Sequence, residues 1–292
     1  MASLRDIRNR IKSVKSTQKI TGAMKMVAAS KLRRAQEAIT AARPYALELG
    51  SMLRRVSARV PHEEGRAPHP LLEIHAPRRV LLVIMTSDRG LCGSFNAGIL
   101  RRAEIFLKEN RERYESLEVA TVGRRGHDYF AKRKVATVRN FPGVFEDLTF
   151  RRASEIAEGI AAEYVEHDLD AVFLLFNEFK SALNQTVQVV PLLPIVEEEL
   201  PPGEGAVEYI YEPSQKEVLD KLVPRYVATI IWRALLESSA SEHGARMTAM
   251  GSATKNAKEL VDKLTLKYNR ARQAAITREL MEIISGAEAL NG

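Results

Sequence analysis

The sequence predicts an α/β protein in which two long terminal helices pair antiparallel as a coiled coil and flank a domain with a largely parallel sheet. Three observations predict it. Apolar residues recur every three or four positions over long stretches at both ends of the chain. Between these stretches, short apolar runs alternate with amphipathic segments. Aromatic residues make up only 6% of the 292 residues, and the remaining apolar residues are mostly Ala, Leu, Ile and Val, a composition that favours helices over an all-β fold.

The N-terminal segment, residues 1–60, carries an apolar stripe with a repeat of 3.5 residues from Leu4 to Val60. A repeat sustained over that length is typical of a coiled-coil seam. Pro44 lacks a backbone donor and predicts a kink or a local break in this helix. The polar interruptions of the stripe are Gln18, Thr21 and Lys25.

The C-terminal segment, residues 214–292, carries a second stripe from Leu236 to Ala275, which slips by one position and then continues to Leu290. Two such stripes in one chain most simply pair with each other. Antiparallel pairing is favoured because residues 61–213 can then form a single domain beside the two helices. The chain is therefore divided into two helical segments and one middle domain.

The middle domain shows strand and helix signals in alternation, which predicts layers of helices around a largely parallel sheet. The predicted strands are 79–86, 117–122, 135–140, 171–177, 185–192 and 207–212. The predicted helices are 95–113, 125–133 and 151–167.

Composition excludes several classes of protein. A single cysteine excludes an internal disulfide framework and a thiolate zinc cluster, and we expect no cofactor and no metal site. No apolar run approaches the roughly 20 residues of a membrane span. Residues 1–60 hold 14 basic and 3 acidic residues, a net charge of +11. Such a segment favours an acidic partner, which leaves nucleic acid, anionic lipid and an acidic protein surface open.

The loop after the first predicted strand, TSDRGLCGSFN from Thr86 to Asn96, is the strongest local candidate for a functional site. It lacks the lysine of a phosphate-binding loop and the third glycine of a dinucleotide fingerprint. Cys92 as a nucleophile near a helix N-terminus is one alternative. A tight strand-to-helix turn at a partner interface is the other, and it makes Asp88 and Arg89 contact residues.

Several stretches, taken together and in order, resemble the γ subunits of F-type ATP synthases of the bacterial type. The resemblance covers essentially the whole chain, and the two helical segments are its most specific part. The stretches are Ile7–Ile11, Thr17–Thr21, Ala23–Lys31, Arg43–Tyr45, Ser87–Gly93, Tyr209–Pro213, Ala245–Met247 and Tyr268–Thr277.

The resemblance implies an antiparallel coiled coil that carries a Rossmann-like domain. It also implies a rotor subunit without catalysis of its own, present in one copy per complex. The implied partners are a hexamer of α and β subunits, an ε subunit and a membrane ring of c subunits, with no nucleic acid. The implied location is peripheral, on the cytoplasmic side of the cell membrane.

The resemblance further assigns contact residues, each carried over to a matching position of this sequence. This sequence departs from the family at Gly22 and Arg278, where lysine and glutamine are common. The catch contacts are Met24, Lys25, Arg272, Gln273, Thr277 and Glu279; the β-lever contacts are Arg33, Arg34, Asp88, Arg89 and Cys92. The foot facing the c ring and ε is Tyr209, Tyr211 and Glu212; the apical bearing is Ile283, Ile284, Ala287 and Leu290.

Two rival functions use the same features. The basic helix is compatible with a coiled-coil protein that binds nucleic acid, although it lacks interleaved aromatic residues. The middle domain is compatible with a Rossmann-type enzyme that has helical arms. Neither rival accounts for two heptad stripes that flank a domain without a nucleotide-binding motif.

Overall fold

A computed structural model describes residues 3–57, 67–196, 211–212 and 214–291, with side chains up to residue 286. The chain forms two compact units. The smaller unit combines Met1–Ala28 with Met247–Gly292, and the larger unit is Ala29–Arg246. Both long helices therefore contribute residues to each unit. The predicted division at residues 61 and 213 stays a prediction.

Five α-helices lie in the described part of the chain. They are α1 Leu4–Ser57, α2 Phe95–Glu109, α3 Arg124–Lys132, α4 Phe150–Glu166 and α5 Gln215–Asn291, with a short 3-10 helix at Pro70–Leu72. Helix α2 ends four residues before its predicted end. The reason is Asn110, whose backbone N–H and side-chain amide both donate to the carbonyl of Phe106 and close the helix. None of the described helices combines the length and apolar character that a membrane span requires.

Helix α1 begins at a reciprocal cap and continues past its proline. The Ser3 N–H donates to the Asp6 carboxylate over 3.1 Å, and the Asp6 N–H donates to the Ser3 hydroxyl over 3.2 Å. The helix runs through Pro44 without a break, so the expected local break is wrong. Pro44 costs one backbone hydrogen bond, but seam residues such as Leu32 and Leu49 are buried before and after it.

The two terminal helices pair antiparallel within each unit. In the smaller unit, Arg8 donates to the Tyr268 hydroxyl over 2.6 Å, and Thr254 donates to the Thr21 hydroxyl over 2.8 Å. Residue numbers thus rise along α1 as they fall along α5. In the larger unit, the Arg225 Nε donates to the Tyr45 hydroxyl over 3.0 Å, which follows the same order. The predicted coiled-coil pairing is confirmed.

Burial follows the predicted stripe closely. On α1, every described stripe position from Leu4 to Val56 is buried or half-buried except Lys25. On α5 the same holds from Leu236 to Ala275. Residues 276–286 are all exposed, because α1 starts at Leu4 and none of its described residues reaches this far along α5.

A five-stranded sheet forms the centre of the larger unit. Its strands are β1 Arg79–Met85, β2 Ser116–Val122, β3 Arg139–Phe141, β4 Ala171–Phe179 and β5 Gln185–Leu193, in the order β3-β2-β1-β4-β5. All neighbours are parallel except β4 and β5. This order is Rossmann-like, which confirms the predicted fold class.

Two strand predictions need correction. Only the end of predicted strand 135–140 joins β2: the Val138 N–H donates to the Val119 carbonyl over 2.9 Å, and the paired residues begin at Arg139. Residues 207–210 lie outside the described part of the chain. Tyr211 and Glu212 are described, and neither is in a strand.

The sheet is covered on both faces. From Val80 to Met85, every residue of β1 is fully buried, because β1 is the central strand. One face packs on α4 and on parts of α1 and α5, and the other packs on α2 and α3. The loop that follows β1 therefore leaves the sheet at its centre, where the strand order reverses.

Candidate functional site

The loop after β1 is closed by its own hydrogen bonds. The Ser87 N–H donates to the Asn96 side-chain oxygen over 3.0 Å, and the Asn96 amide donates back to the Ser87 hydroxyl over 2.7 Å. Two residues, Leu91 and Gly93, have φ values of 62° and 58°, which let the chain turn sharply between them. The first residues of the loop are thus fastened to the first turn of α2.

Asp88 is turned inward and serves the backbone. Its carboxylate accepts from the N–H of Arg124 at 3.0 Å, of Gly143 at 2.9 Å and of Phe145 at 3.1 Å. The first of these lies at the N-terminus of α3, where negative charge is favoured. Because both oxygens are engaged, the expected β-lever contact does not fit the Asp88 carboxylate.

Cys92 is also turned inward. Its side chain is 2% exposed, and its Sγ atom accepts from the Asn96 amide over 3.3 Å. Burial raises the pKa of the Cys92 thiol, so the reactive thiolate is disfavoured. Neither the catalytic alternative nor a β-lever contact fits this position. The loop instead presents Arg89, whose β-lever contact stays a prediction, and Leu91, which is 65% exposed and which the sequence reasoning missed.

A buried ion pair on α5 supports the same loop. The Arg246 guanidinium donates to the Glu242 carboxylate over 2.5 Å and to the Gly90 carbonyl over 3.2 Å. The two side chains are only 11% and 6% exposed. Burial raises the pKa of Glu242, and the charge of Arg246 opposes that rise. Arg246 lies in the stretch Ala245–Met247 that carries the family resemblance, but nothing in the sequence connects it to Gly90.

His243 adjoins this ion pair and predicts a loss of stability in acid. Burial first, then the charges of Arg246 and Lys31, lower the pKa of His243 from 6.5 to about 4. In the unfolded chain His243 therefore binds a proton near pH 6.5, whereas in the folded chain it does so only near pH 4. Stability falls as the pH drops through this window, by roughly 2–3 kcal/mol.

The check is urea unfolding of the parent chain and of His243→Gln at pH 7 and pH 4.5. The loss between the two pH values is expected to be smaller in His243→Gln. Glu242 acts in the opposite direction, because a raised carboxyl pKa adds stability as the pH falls, but both proteins contain it. An equal loss in the two proteins contradicts the prediction.

The six predicted catch residues occupy two separate places on the smaller unit. Met24 is half-buried, and the exposed Lys25 lies over Gly251 of α5. The others lie on α5 beyond residue 271, which places them about 30 Å further along the helix at 1.5 Å per residue. Arg272, Gln273, Thr277 and Glu279 are all exposed. The structure thus presents two surfaces where the sequence suggested one.

Most basic residues of the first helix face solvent; Arg54 and Arg55, near its end, are half-buried. Arg33 and Arg34 are exposed, and Arg33 pairs with Glu37 over 2.9 Å on the same helix. In the smaller unit, no ion pair joins a basic side chain to a carboxylate among the described residues. The exposed basic side chains there include Arg5, Arg8, Arg10, Lys12, Lys15 and Lys19. Their charge is available to an acidic partner.

The remaining predicted contacts are only partly described. Tyr211 is half-buried and packs against the core, and Glu212 is exposed. Tyr209 lies outside the described residues. Ile283 and Ile284 are 72% and 47% exposed, and the side chains of Ala287 and Leu290 lie outside the described part.

Comparisons with known proteins indicate the same family over the full length of the chain. A family model described as ATP synthase matches residues 3–290. The ATP synthase gamma chain of Anaeromyxobacter sp. (strain Fw109-5) is 56% identical, covering 99% of this chain and all of the relative. The ATP synthase gamma chain of Geobacter metallireducens is 51% identical over all of both chains.

Solved structures share the fold. A chain from the Euglena gracilis mitochondrial ATP synthase, OSCP/F1/c-ring in rotational state 3, superposes with a TM-score of 0.69 at 20% identity, covering 98% of this chain and 94% of the other. A chain from the central stalk and c-ring of the Tetrahymena thermophila mitochondrial ATP synthase gives 0.62 at 26% identity, covering 80% of this chain and 99% of the other. The paired helices, the Rossmann-like sheet and the full-length match agree: this chain belongs to the ATP synthase gamma chain family.

Proposed function

We propose that this chain is the central-stalk rotor subunit of a membrane-bound ATP synthase, with one copy per complex. It turns inside a hexamer of α and β subunits and is fastened to the ε subunit and the c ring. In this way it couples ion flow to ATP synthesis or hydrolysis. It acts peripherally, on the cytoplasmic face of the cell membrane.

The observation that carries the proposal is the antiparallel pairing of the chain's own ends. A shaft that transmits torque must resist twisting and bending, and two packed helices resist both better than one. Polar contacts across the pair, such as Thr21 with Thr254, fix the register of one helix on the other. Helix α1 is continuous from Leu4 to Ser57, including the position of Pro44.

Two exposed surfaces suit contact with a sleeve that must slip past the shaft. The basic side chains of the smaller unit lack internal ion pairs among the described residues, so they can pair in turn with acidic levers of each β subunit. Exposed charges interact weakly, by about 1 kcal/mol or less per pair, which lets each contact break. The exposed Ile283 and Ile284 offer apolar contact without directional bonds.

The sheet serves as a rigid body rather than as a catalytic domain in this proposal. The position where Rossmann-like folds bind ligands is filled by the Asp88 and Asn96 hydrogen bonds and by the Gly90–Arg246 contact. Nucleotide chemistry then belongs to the surrounding subunits. Residues 61–213 form one domain that presents Arg89 at the lower rim of the hexamer.

The test is rotation in an assembled complex. The chain is co-expressed with bacterial α and β subunits, and exposed Glu112 is replaced by cysteine to hold a bead. Cys92 is buried and does not compete for the label. ATP is expected to drive stepwise rotation of the bead, and the chain alone should not hydrolyse ATP. Hydrolysis by the complex with a stationary bead contradicts the proposal.

A disulfide staple tests whether the helix pair turns as one body. The Thr21 and Thr254 hydroxyl oxygens are 2.8 Å apart, so cysteines at both positions are close enough to bridge. Oxidation of Thr21→Cys/Thr254→Cys is expected to leave ATP hydrolysis by the complex within about twofold, because a rigid shaft never separates its helices. The control is the oxidised parent complex. Inactivation that a reductant reverses would show that the helices must move apart.

A further inference from the structure

A cavity of about 560 Å³ opens between α1 and α5 in the larger unit, beside the start of α4. That volume is in the usual range for sites that hold drug-sized molecules. Three aromatic rings from the three helices line it: Tyr45, Phe150 and Trp232. The rings of Phe150 and Trp232 meet edge to face with centroids 6.1 Å apart, which fixes both in place.

The cavity carries an excess of positive charge. Three guanidinium groups line it, on Arg43, Arg225 and Arg233, against the single carboxylate of Glu237. Arg233 pairs with Glu237 over 2.8 Å, and no ion pair to a described carboxylate involves the other two. Arg225 is held over the Phe150 ring at 4.5 Å. Positively charged groups placed beside aromatic rings favour an anion that has an apolar body.

Glu237 offsets only one of the three arginines. Its side chain is 9% exposed, and one of its oxygens accepts from Arg233. The other oxygen is buried and has no hydrogen-bond partner among the described residues. Because that oxygen is closed to solvent, Glu237 offsets the charge of Arg233 alone and leaves Arg43 and Arg225 to a bound anion.

We propose that this cavity binds an amphiphilic aromatic anion. The ring system packs on Tyr45 and Trp232, and the acidic group, a carboxylate, sulfonate or phosphate, pairs with Arg43 and Arg225. Such a molecule contacts both long helices and ties them together. The site is independent of the proposed rotor function, since its binding can be measured on the full chain alone.

The test uses two dyes that differ by one acidic group. Trp232 is the only tryptophan of the chain, so its fluorescence reports on the cavity. The dyes are 8-anilinonaphthalene-1-sulfonate and its uncharged analogue N-phenyl-1-naphthylamine, both titrated at pH 7.5. Saturable quenching of Trp232 with energy transfer to the sulfonate is expected, with affinity at least about fivefold higher than for the uncharged dye.

Matched arginine variants locate the site. Arg43→Gln removes an exposed guanidinium at the cavity and is expected to weaken binding of the sulfonate roughly five- to tenfold. Arg101→Gln removes an exposed guanidinium on α2 and should leave binding unchanged. Circular dichroism confirms that both variants fold. Equal affinity for the two dyes, equal effects of the two variants, or no saturable quenching overturns the proposal.

Discussion

Gly123→Ala is expected to destabilise the larger unit by at least about 4 kcal/mol, the largest effect of any substitution considered. Gly123 precedes α3 and has a φ of 91°, a backbone conformation in which alanine is strained. A Cβ atom there would lie 2.0 Å from the carbonyl oxygen of Thr86, which is a clash with backbone. If Thr86 moved to relieve this clash, it would lose its hydrogen bonds to Val122 and Gly126.

Gly143→Ala is the matched control. Gly143 also has a positive φ, of 74°, but among the described residues a Cβ atom there would approach nothing nearer than Arg124, at 3.8 Å. The cost should be that of backbone strain alone, about 1–2 kcal/mol. Urea unfolding followed by Trp232 fluorescence measures both variants. Similar midpoints for the two would show that the close approach to Thr86 relaxes freely.

Arg246→Met is expected to cost about 3–5 kcal/mol, because it leaves the buried Glu242 carboxylate without its partner. The Gly90 carbonyl loses its donor at the same time. The variant chain should unfold at a lower urea concentration. Amides of the loop after β1 should also exchange hydrogen faster, since the loop is no longer fastened to α5.

Two variants separate charge burial from simple loss of a contact. Arg33→Met breaks a similar pair on α1, but there the two side chains are 83% and 62% exposed, so the cost should be about 0.5 kcal/mol or less. Adding Glu242→Gln to Arg246→Met removes the stranded charge and should restore at least half of the loss. A double variant as unstable as Arg246→Met would assign the effect to the Gly90 contact instead.

The helical part of the fold was predictable because its signal is periodic and local. The heptad stripe from Leu4 to Ala46 or from Leu236 to Ala275 can be read one turn at a time, and burial follows it. Strand β1 was predictable because a central parallel strand is apolar on both faces. Short strand β3 was not, since its extent depends on pairing with β2 and not on its own residues.

The roles within the loop after β1 were beyond sequence reasoning. Asp88 looks like a surface acid, but its carboxylate binds backbone groups 36 to 57 residues away. Arg246 reaches Gly90 across 156 residues of sequence. Such contacts depend on the sheet order, which brings the ends of separate elements together. The sequence does contain the motif Ser87–Gly93, which is one of the stretches that indicate the family.

The end of the helix pair at Leu4 and Ala275 has a mechanical consequence. Up to Ala275, a sideways load on α5 is shared with α1. From residue 276 to at least residue 286, α5 bears such a load alone. The projecting segment is therefore the more compliant part of α5. It can follow small lateral displacements of its surroundings more easily than the paired length can.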